Sequence, residues 1–195
     1  LGLGAGPGPL LALLPGSRAG ELAQHGGPFL GAARRLAARL PGLEVAVAVL
    51  DETAARRLRP LAGEGVRFVT GRSREVLAAA DLALVKAGTG TLEAMLVGTP
   101  MVVAYRLDPA THALLARLVH SPHFALPNLL AGRALVPELI QGAVTPEALA
   151  AALAEVHAAA DAQRAAFADL AAPLRRGAAA RAAEAVLELV AERRR

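Results

Sequence analysis

Five short, predominantly apolar runs, separated by segments of helical periodicity, constrain this chain more than any other feature. The runs are Leu10-Leu11-Ala12-Leu13-Leu14 before Pro15-Gly16, residues 45–50 before Asp51, residues 66–69 before Thr70-Gly71, residues 82–85 before Lys86-Ala87-Gly88, and residues 101–105 before Arg106. Apart from Arg67 in the third, they are apolar continuously rather than alternately, which predicts strands covered on both faces, as in a parallel sheet. Between them Phe29, Ala33, Leu36 and Leu40 recur at helical spacing, with Arg35 and Arg39 on the other side. Residues 52–61, 73–80 and 91–97 read the same way. Strand alternating with helix predicts an α/β fold, a doubly wound parallel sheet of Rossmann-like type over residues 10–145.

The flanks differ in character. Residues 1–9 are rich in Gly and Pro, with neither an initial Met nor a charged segment ahead of an apolar one. They are expected to be a linker rather than a signal peptide, and the chain the back half of something larger. From Pro146 the sequence turns to Ala-rich helix, with Ala148, Ala151, Ala152 and Val156 on one face and Pro173 expected to break it. A last helix carries Ala183, Val186, Leu187 and Val190 before Arg193-Arg194-Arg195. Such helices have high propensity but bury little area per residue. Residues 146–195 are therefore expected to pack on a larger surface, a missing N-terminal half or a partner subunit.

Composition removes several classes of function. The chain has 195 residues, 54% hydrophobic, enough for a real core and too apolar for intrinsic disorder. It has no Cys, which removes disulfides, thiolate metal sites and cysteine nucleophiles. The net charge of +4 does not argue for nucleic acid: the Arg residues are dispersed, and aromatic residues for base stacking make up only 3%. No apolar run reaches the roughly 18–20 residues of a membrane span. Of His25, His112, His120, His123 and His157, only the pair in His120-Ser121-Pro122-His123 suggests a metal, and no carboxylate or third imidazole accompanies it. No metal site is expected. None of the three Ser residues sits in a GxSxG elbow. The clusters Arg34-Arg35-Arg39 and Arg56-Arg57-Arg59 read as solvated helix faces or as a membrane-facing surface.

In an open parallel sheet, ligands bind outside the carboxyl ends of the strands. After the first strand comes Pro15-Gly16-Ser17-Arg18, a tight turn ending in a hydroxyl and a guanidinium. After the fourth comes Lys86-Ala87-Gly88-Thr89-Gly90-Thr91-Leu92-Glu93, a Gly-rich loop opening a helix. Two glycines let backbone approach a ligand, and a helix N-terminus offers N–H groups and a positive dipole end to phosphate. Thr89 and Thr91 can add hydroxyl donors. Glu93, read in the first turn, is either a charge favoured by the dipole or an acceptor for two ribose hydroxyls. The loop matches neither the P-loop nor the dinucleotide fingerprint, whose third Gly is replaced by Glu93. Asn128, the only Asn, stands in Leu126-Pro127-Asn128-Leu129-Leu130-Ala131-Gly132 and by itself signals a turn. Pro137 and Glu138 read as a helix start, with Gln141 on that helix.

Taken in order, Leu13-Leu14-Pro15-Gly16-Ser17-Arg18 with Glu21, the loop from Ala87 to Glu93, Pro100-Met101-Val102-Val103-Ala104-Tyr105-Arg106, the Asn128 segment and Glu138-Leu139-Ile140-Gln141 resemble the C-terminal half of the lipid A disaccharide synthase family. Each motif alone is weak, but the series is specific. The resemblance implies a GT-B glycosyltransferase: two Rossmann-like domains facing across a cleft, the C-terminal one holding the UDP of the donor. It implies transfer of 2,3-diacylglucosamine from UDP to 2,3-diacylglucosamine 1-phosphate, with inversion, on the cytoplasmic face of the inner membrane and without a metal or other cofactor. Carried onto this chain, Ser17, Arg18, Gly88, Thr89, Gly90 and Thr91 surround the diphosphate and Glu93 the ribose. Asn128 and Gln141 fall on the donor side of the cleft. The general base and acceptor site are expected in the absent N-terminal half, and a homodimer among the assemblies. Ala87 departs from the family's usual Ser, and Lys86 offers a charge instead. Two other readings share these features: another GT-B UDP-sugar transferase or epimerase, and a non-catalytic nucleotide-binding module.

Overall fold

The structure, a computed structural model, describes residues 1–108, 122–174 and 177–192. His112, His120, Ser121 and Arg193-Arg194-Arg195 lie outside the described residues. The five apolar runs form strands β1 (Leu10–Leu14), β2 (Glu44–Val49), β3 (Val66–Thr70), β4 (Leu82–Lys86) and β5 (Met101–Tyr105). Between and after them come α1 (Ala19–Ala37), α2 (Glu52–Leu58), α3 (Ser73–Ala79), α4 (Thr89–Val97), α5 (Leu126–Ala131), a sixth strand β6 (Glu138–Ile140), α6 (Pro146–Ala158), α7 (Ala160–Leu174) and α8 (Ala178–Glu192). All strand pairs are parallel, in the order β3-β2-β1-β4-β5-β6. The order reverses between β1 and β4, so a crevice opens at their carboxyl ends.

Alternation along each strand serves two cores. Leu11, Leu13, Val47, Leu84 and Val102 face Phe29, Leu36, Leu58, Leu149 and Leu153 on one side of the sheet. Leu10, Ala12, Ala46, Val85 and Met101 face Val76, Leu77, Ala94, Met95 and Phe167 on the other. The sheet is thus wound on both faces. The periodic stretch from Phe29 proved to be the second half of a longer helix, which runs from Ala19 through Pro28. Helix α1 approaches α2 closely because Gly26 carries no side chain: a Cβ there would lie 2.4 Å from Leu58 Cδ2.

Two expectations are corrected here. Residues 146–195 do not as a whole await another surface, because α6 and α7 complete this domain's own faces. Leu149, Leu153 and Val156 of α6 are buried against α1, and Arg35 pairs with Glu147. Phe167 of α7 is buried in the opposite core, while Gln163 accepts from the Met101 N–H at 2.8 Å and donates to its carbonyl at 3.3 Å. The helix also divides at Ala159, ahead of Pro173, which α7 tolerates at its end. By contrast, α8 leaves its large apolar residues Val186, Leu187, Leu189 and Val190 exposed. Second, Pro137 and Glu138 open strand β6 rather than a helix. The cause is pairing: Val103 lies beside Glu138 and Tyr105 beside Ile140, which extends the sheet past β5.

Residues 1–9 form no helix or strand, yet the N–H groups of Gly4 and Gly6 donate to the Glu44 carboxylate at 3.2 and 2.6 Å. Several surface Arg are engaged within the domain. Arg34 donates to the Leu61 carbonyl, and Arg59 pairs with Glu52 and lies over the Phe68 ring.

His25 ties α1 to the end of β5. Buried, it donates from Nδ1 to the Glu21 carbonyl at 2.8 Å and accepts at Nε2 from the Arg106 N–H at 3.0 Å. Accepting at one nitrogen and donating at the other requires the neutral ring. Burial pushes its pKa below the ordinary 6.5, and Lys86 and Arg106 push the same way against the Glu21 carbonyl. The unfolded chain therefore takes up this proton at a higher pH than the folded one. The His25 contribution is fully present above pH 6.5 and is lost as pH falls below that value through the folded pKa. Thermal melts from about pH 7.5 to 5.5 should show Tm dropping below pH 6.5, with a flatter profile in His25→Gln. Parallel profiles would remove His25 from this role.

Candidate functional site

At the switch point between β1 and β4 lies a cleft of about 500 Å³. Its floor is Leu14 and Val85, its rim Leu50 and Gly71, and its polar wall Ser17, Arg18, Glu21, Ser73, Lys86, Gly88, Thr89, Gly90 and Glu93. The strands end here because their apolar runs end, so each following turn delivers polar groups to one edge.

The N-termini of α4, α1 and α3 meet at this edge, α3 opening at Ser73. Helix α4 opens at Thr89 behind Gly88, whose φ of 153° and ψ of −161° lie in a region essentially reserved for glycine. The N–H groups of Thr89 and Gly90 are the first two of the helix, which an α-helix leaves without intrahelical partners. The loop is braced from behind by Thr91, buried, whose hydroxyl donates to the Gly88 carbonyl at 2.7 Å and accepts from the Leu126 N–H at 3.3 Å. Because α4 starts two residues before Thr91, Glu93 sits in its second turn rather than its first. That weakens the dipole explanation for a carboxylate here, since the dipole acts mainly within the first turn. Within the cleft, the Ser73 hydroxyl lies 3.4 Å from Glu93 Oε2.

Helix α1 contributes Arg18 and Glu21. The Glu21 carboxylate accepts from the Ser17 and Arg18 N–H groups at 2.9 and 3.3 Å, and pairs with Lys86 Nζ at 3.0 Å. The turn fits because residue 16 is Gly at φ 115°: a Cβ there would lie 2.5 Å from Glu21 Oε2. Burial pushes the Glu21 pKa up, but the Ser17 N–H, Lys86 and the Arg18 N–H outweigh it and hold the carboxyl below its ordinary value. Lys86 also approaches the Tyr105 ring, 5.8 Å from its centroid. Arg18 pairs with the same carboxylate more loosely, its Nη1 3.5 Å from Glu21 Oε1, and its side chain is 85% exposed at the edge of the cleft.

Of the predicted residues, the fold brings together Ser17, Arg18, Gly88, Thr89, Gly90 and Glu93. It gives three others structural work. Thr91 braces the loop. Asn128 is buried, and all four of its hydrogen bonds are made within the protein. It donates to the Val136 carbonyl and Glu138 Oε1 at 2.9 and 2.7 Å, and accepts from the Leu135 and Val136 N–H groups at 2.7 and 2.8 Å. Gln141, at φ 52°, accepts from the Leu107 N–H at 2.7 Å and so fixes the chain leaving β5. Ser73, Leu50 and Gly71 were not singled out from the sequence, although the strand-end rule applied to β2 and β3 points to them. Among the described residues, no three His, Asp or Glu side chains cluster at a spacing for a metal ion, and no helix is long and apolar enough to cross a membrane.

Comparison with known proteins agrees with the fold and the motif order. Solved structures similar to the chain include the spinosyn rhamnosyltransferase SpnG, with a TM-score of 0.59 and 20% identity, covering 84% of this chain and 40% of that one. The E. coli ADP-heptose lps heptosyltransferase II aligns with a TM-score of 0.57 and 14% identity, over 79% of this chain and 48% of that one. These likenesses show that the chain has the Rossmann-like α/β fold of about half of such GT-B structures. The lipid-A-disaccharide synthase of Pseudomonas putida (strain W619) is 46% identical over 197 aligned residues, 99% of this chain and 52% of its own length. That of Azotobacter vinelandii is 50% identical over 92% of this chain and 49% of its own. The chain therefore spans about half the length of the curated relatives it matches. The profile of the lipid-A-disaccharide synthetase family matches residues 7–187, nearly the whole sequence. The chain belongs to the lipid-A-disaccharide synthetase family.

Proposed function

We propose that this chain is the donor-holding half of an inverting glycosyltransferase that moves 2,3-diacylglucosamine from UDP to 2,3-diacylglucosamine 1-phosphate. The observation that carries the reading is the convergence, at one sheet switch point, of the α4 N-terminus, two cations and the Glu93 carboxylate. The diphosphate lies against the N–H groups of Thr89 and Gly90, where the helix end favours negative charge. Arg18 and Lys86 supply the cations, and Glu93, with Ser73 beside it, accepts from the ribose hydroxyls. Names of the 46–50% identical relatives support the choice of reaction.

In the reaction, the acceptor 6-hydroxyl attacks the anomeric carbon from the face opposite UDP. The bond from that carbon to the diphosphate oxygen breaks, and the hydroxyl proton passes to a base on the facing half. What this half contributes is stabilisation of charge growing on the leaving diphosphate, an electrostatic task for fixed N–H groups and cations. The reading uses no metal or cofactor for that task. It also takes a facing N-terminal domain for the acceptor, a homodimer as the assembly, and the cytoplasmic face of the inner membrane as the place where the acylated substrates are met.

Calorimetric titration with UDP tests the assignment. The chain should bind UDP, and Arg18→Ala and Glu93→Ala should each weaken binding roughly tenfold, the loss of one charge-assisted contact. A folded chain without UDP affinity would sink it.

A further inference from the structure

We propose that Glu21 is a resident counter-anion of the donor site, seated on groups that the incoming phosphates take, and that its charge loosens the hold on UDP. The inference rests on the UDP reading of the cleft. Two N–H groups and two cations converge on this one carboxylate: Ser17 and Arg18 through the backbone, Lys86 Nζ at 3.0 Å and Arg18 Nη1 at 3.5 Å. A phosphate is bound elsewhere by the same kinds of donor. The pair is set into the wall, with side-chain exposures of 17% for Glu21 and 20% for Lys86.

A glutamate three residues into a helix often serves only as a cap. Capping accounts for the bonds from Ser17 and Arg18, but not for the pairing with Lys86, which arrives from the end of β4. Lys86 also lies against the Gly88 loop: a Cβ placed on Gly88 would lie 3.5 Å from its Nζ. Among the residues lining the cleft, the charges of Arg18 and Lys86 are matched by those of Glu21 and Glu93. A diphosphate must therefore draw Lys86 away from Glu21, or lie beside a fixed carboxylate. Either way Glu21 opposes it, and the departure of UDP restores the pair.

Glu21→Gln separates the two roles, because the amide oxygen keeps the cap while the charge is removed. In titrations of the full 195-residue chain, E21Q should bind UDP about fivefold to tenfold more tightly than the parent, with uridine unchanged. In a Lys86→Met background the gain should shrink to about twofold or less, since the competition runs through Lys86. An E21Q chain that binds UDP as the parent does, or more weakly, overturns the proposal. So does an equal change for UDP and uridine. If the folded parent binds no UDP, the reading of the cleft fails first, and this inference with it. A measurement on the unaltered chain stands independently of how the variant folds: the Glu21 carboxyl ¹³C resonance should shift on saturation with UDP but not with uridine. A resonance blind to UDP also overturns it.

Discussion

Asn128→Ala is expected to lose about 3–5 kcal/mol of folding stability in chemical denaturation, with the UDP affinity of the folded chain changed about twofold or less. The large cost comes from what the amide leaves behind. The N–H groups of Leu135 and Val136 and the Val136 carbonyl lose their Asn128 partner, and Glu138 Oε1 loses one of its donors. Glu138 itself receives the N–H groups of Phe124 and Ala125 at 3.0 and 2.9 Å, so it fixes the entry to α5. Freed from Asn128, that carboxylate is a partly buried charge with fewer partners, which is the costly case. Unaltered stability with weaker UDP binding would instead return Asn128 to the ligand.

Gly88→Val is expected to reduce UDP affinity by roughly two orders of magnitude while the fold persists. A β-branched residue cannot adopt φ 153° with ψ −161° without strain of about 1–3 kcal/mol. The chain relieves that strain by turning the loop, and the turn misdirects the Thr89 and Gly90 N–H groups. UDP titration beside a thermal melt distinguishes this from unfolding: a folded variant with near-parental affinity would show that the diphosphate does not use α4.

Much of the architecture was legible because continuous apolar runs have few explanations. Leu10-Leu11-Ala12-Leu13-Leu14 fits only a strand buried on both faces once five such runs alternate with helices. What periodicity did not show was β6, three residues long and set by pairing with β5 rather than by its own pattern. The fate of α6 and α7 was also hidden, since an Ala-rich helix does not announce its partner; Gln163 and Phe167 choose it through backbone and shape. In the site, Gly88, Thr89, Gly90 and Glu93 were readable from the loop alone. Glu21 was visible only as part of a motif, because its role depends on Lys86, a residue 65 positions away. Asn128 shows the opposite limit: motif membership marked it, while its hydrogen bonds to Leu135, Val136 and Glu138 could not be read from the sequence.

On the proposed function, the crevice between β1 and β4 holds the nucleotide of a sugar donor. The measurement that meets it most directly is a crystal structure of the chain soaked with UDP. The expected result has phosphate oxygens within hydrogen-bond reach of the Thr89 and Gly90 N–H groups and the ribose hydroxyls on Glu93. An empty cleft at saturating UDP, or a nucleotide bound away from α4, would contradict it.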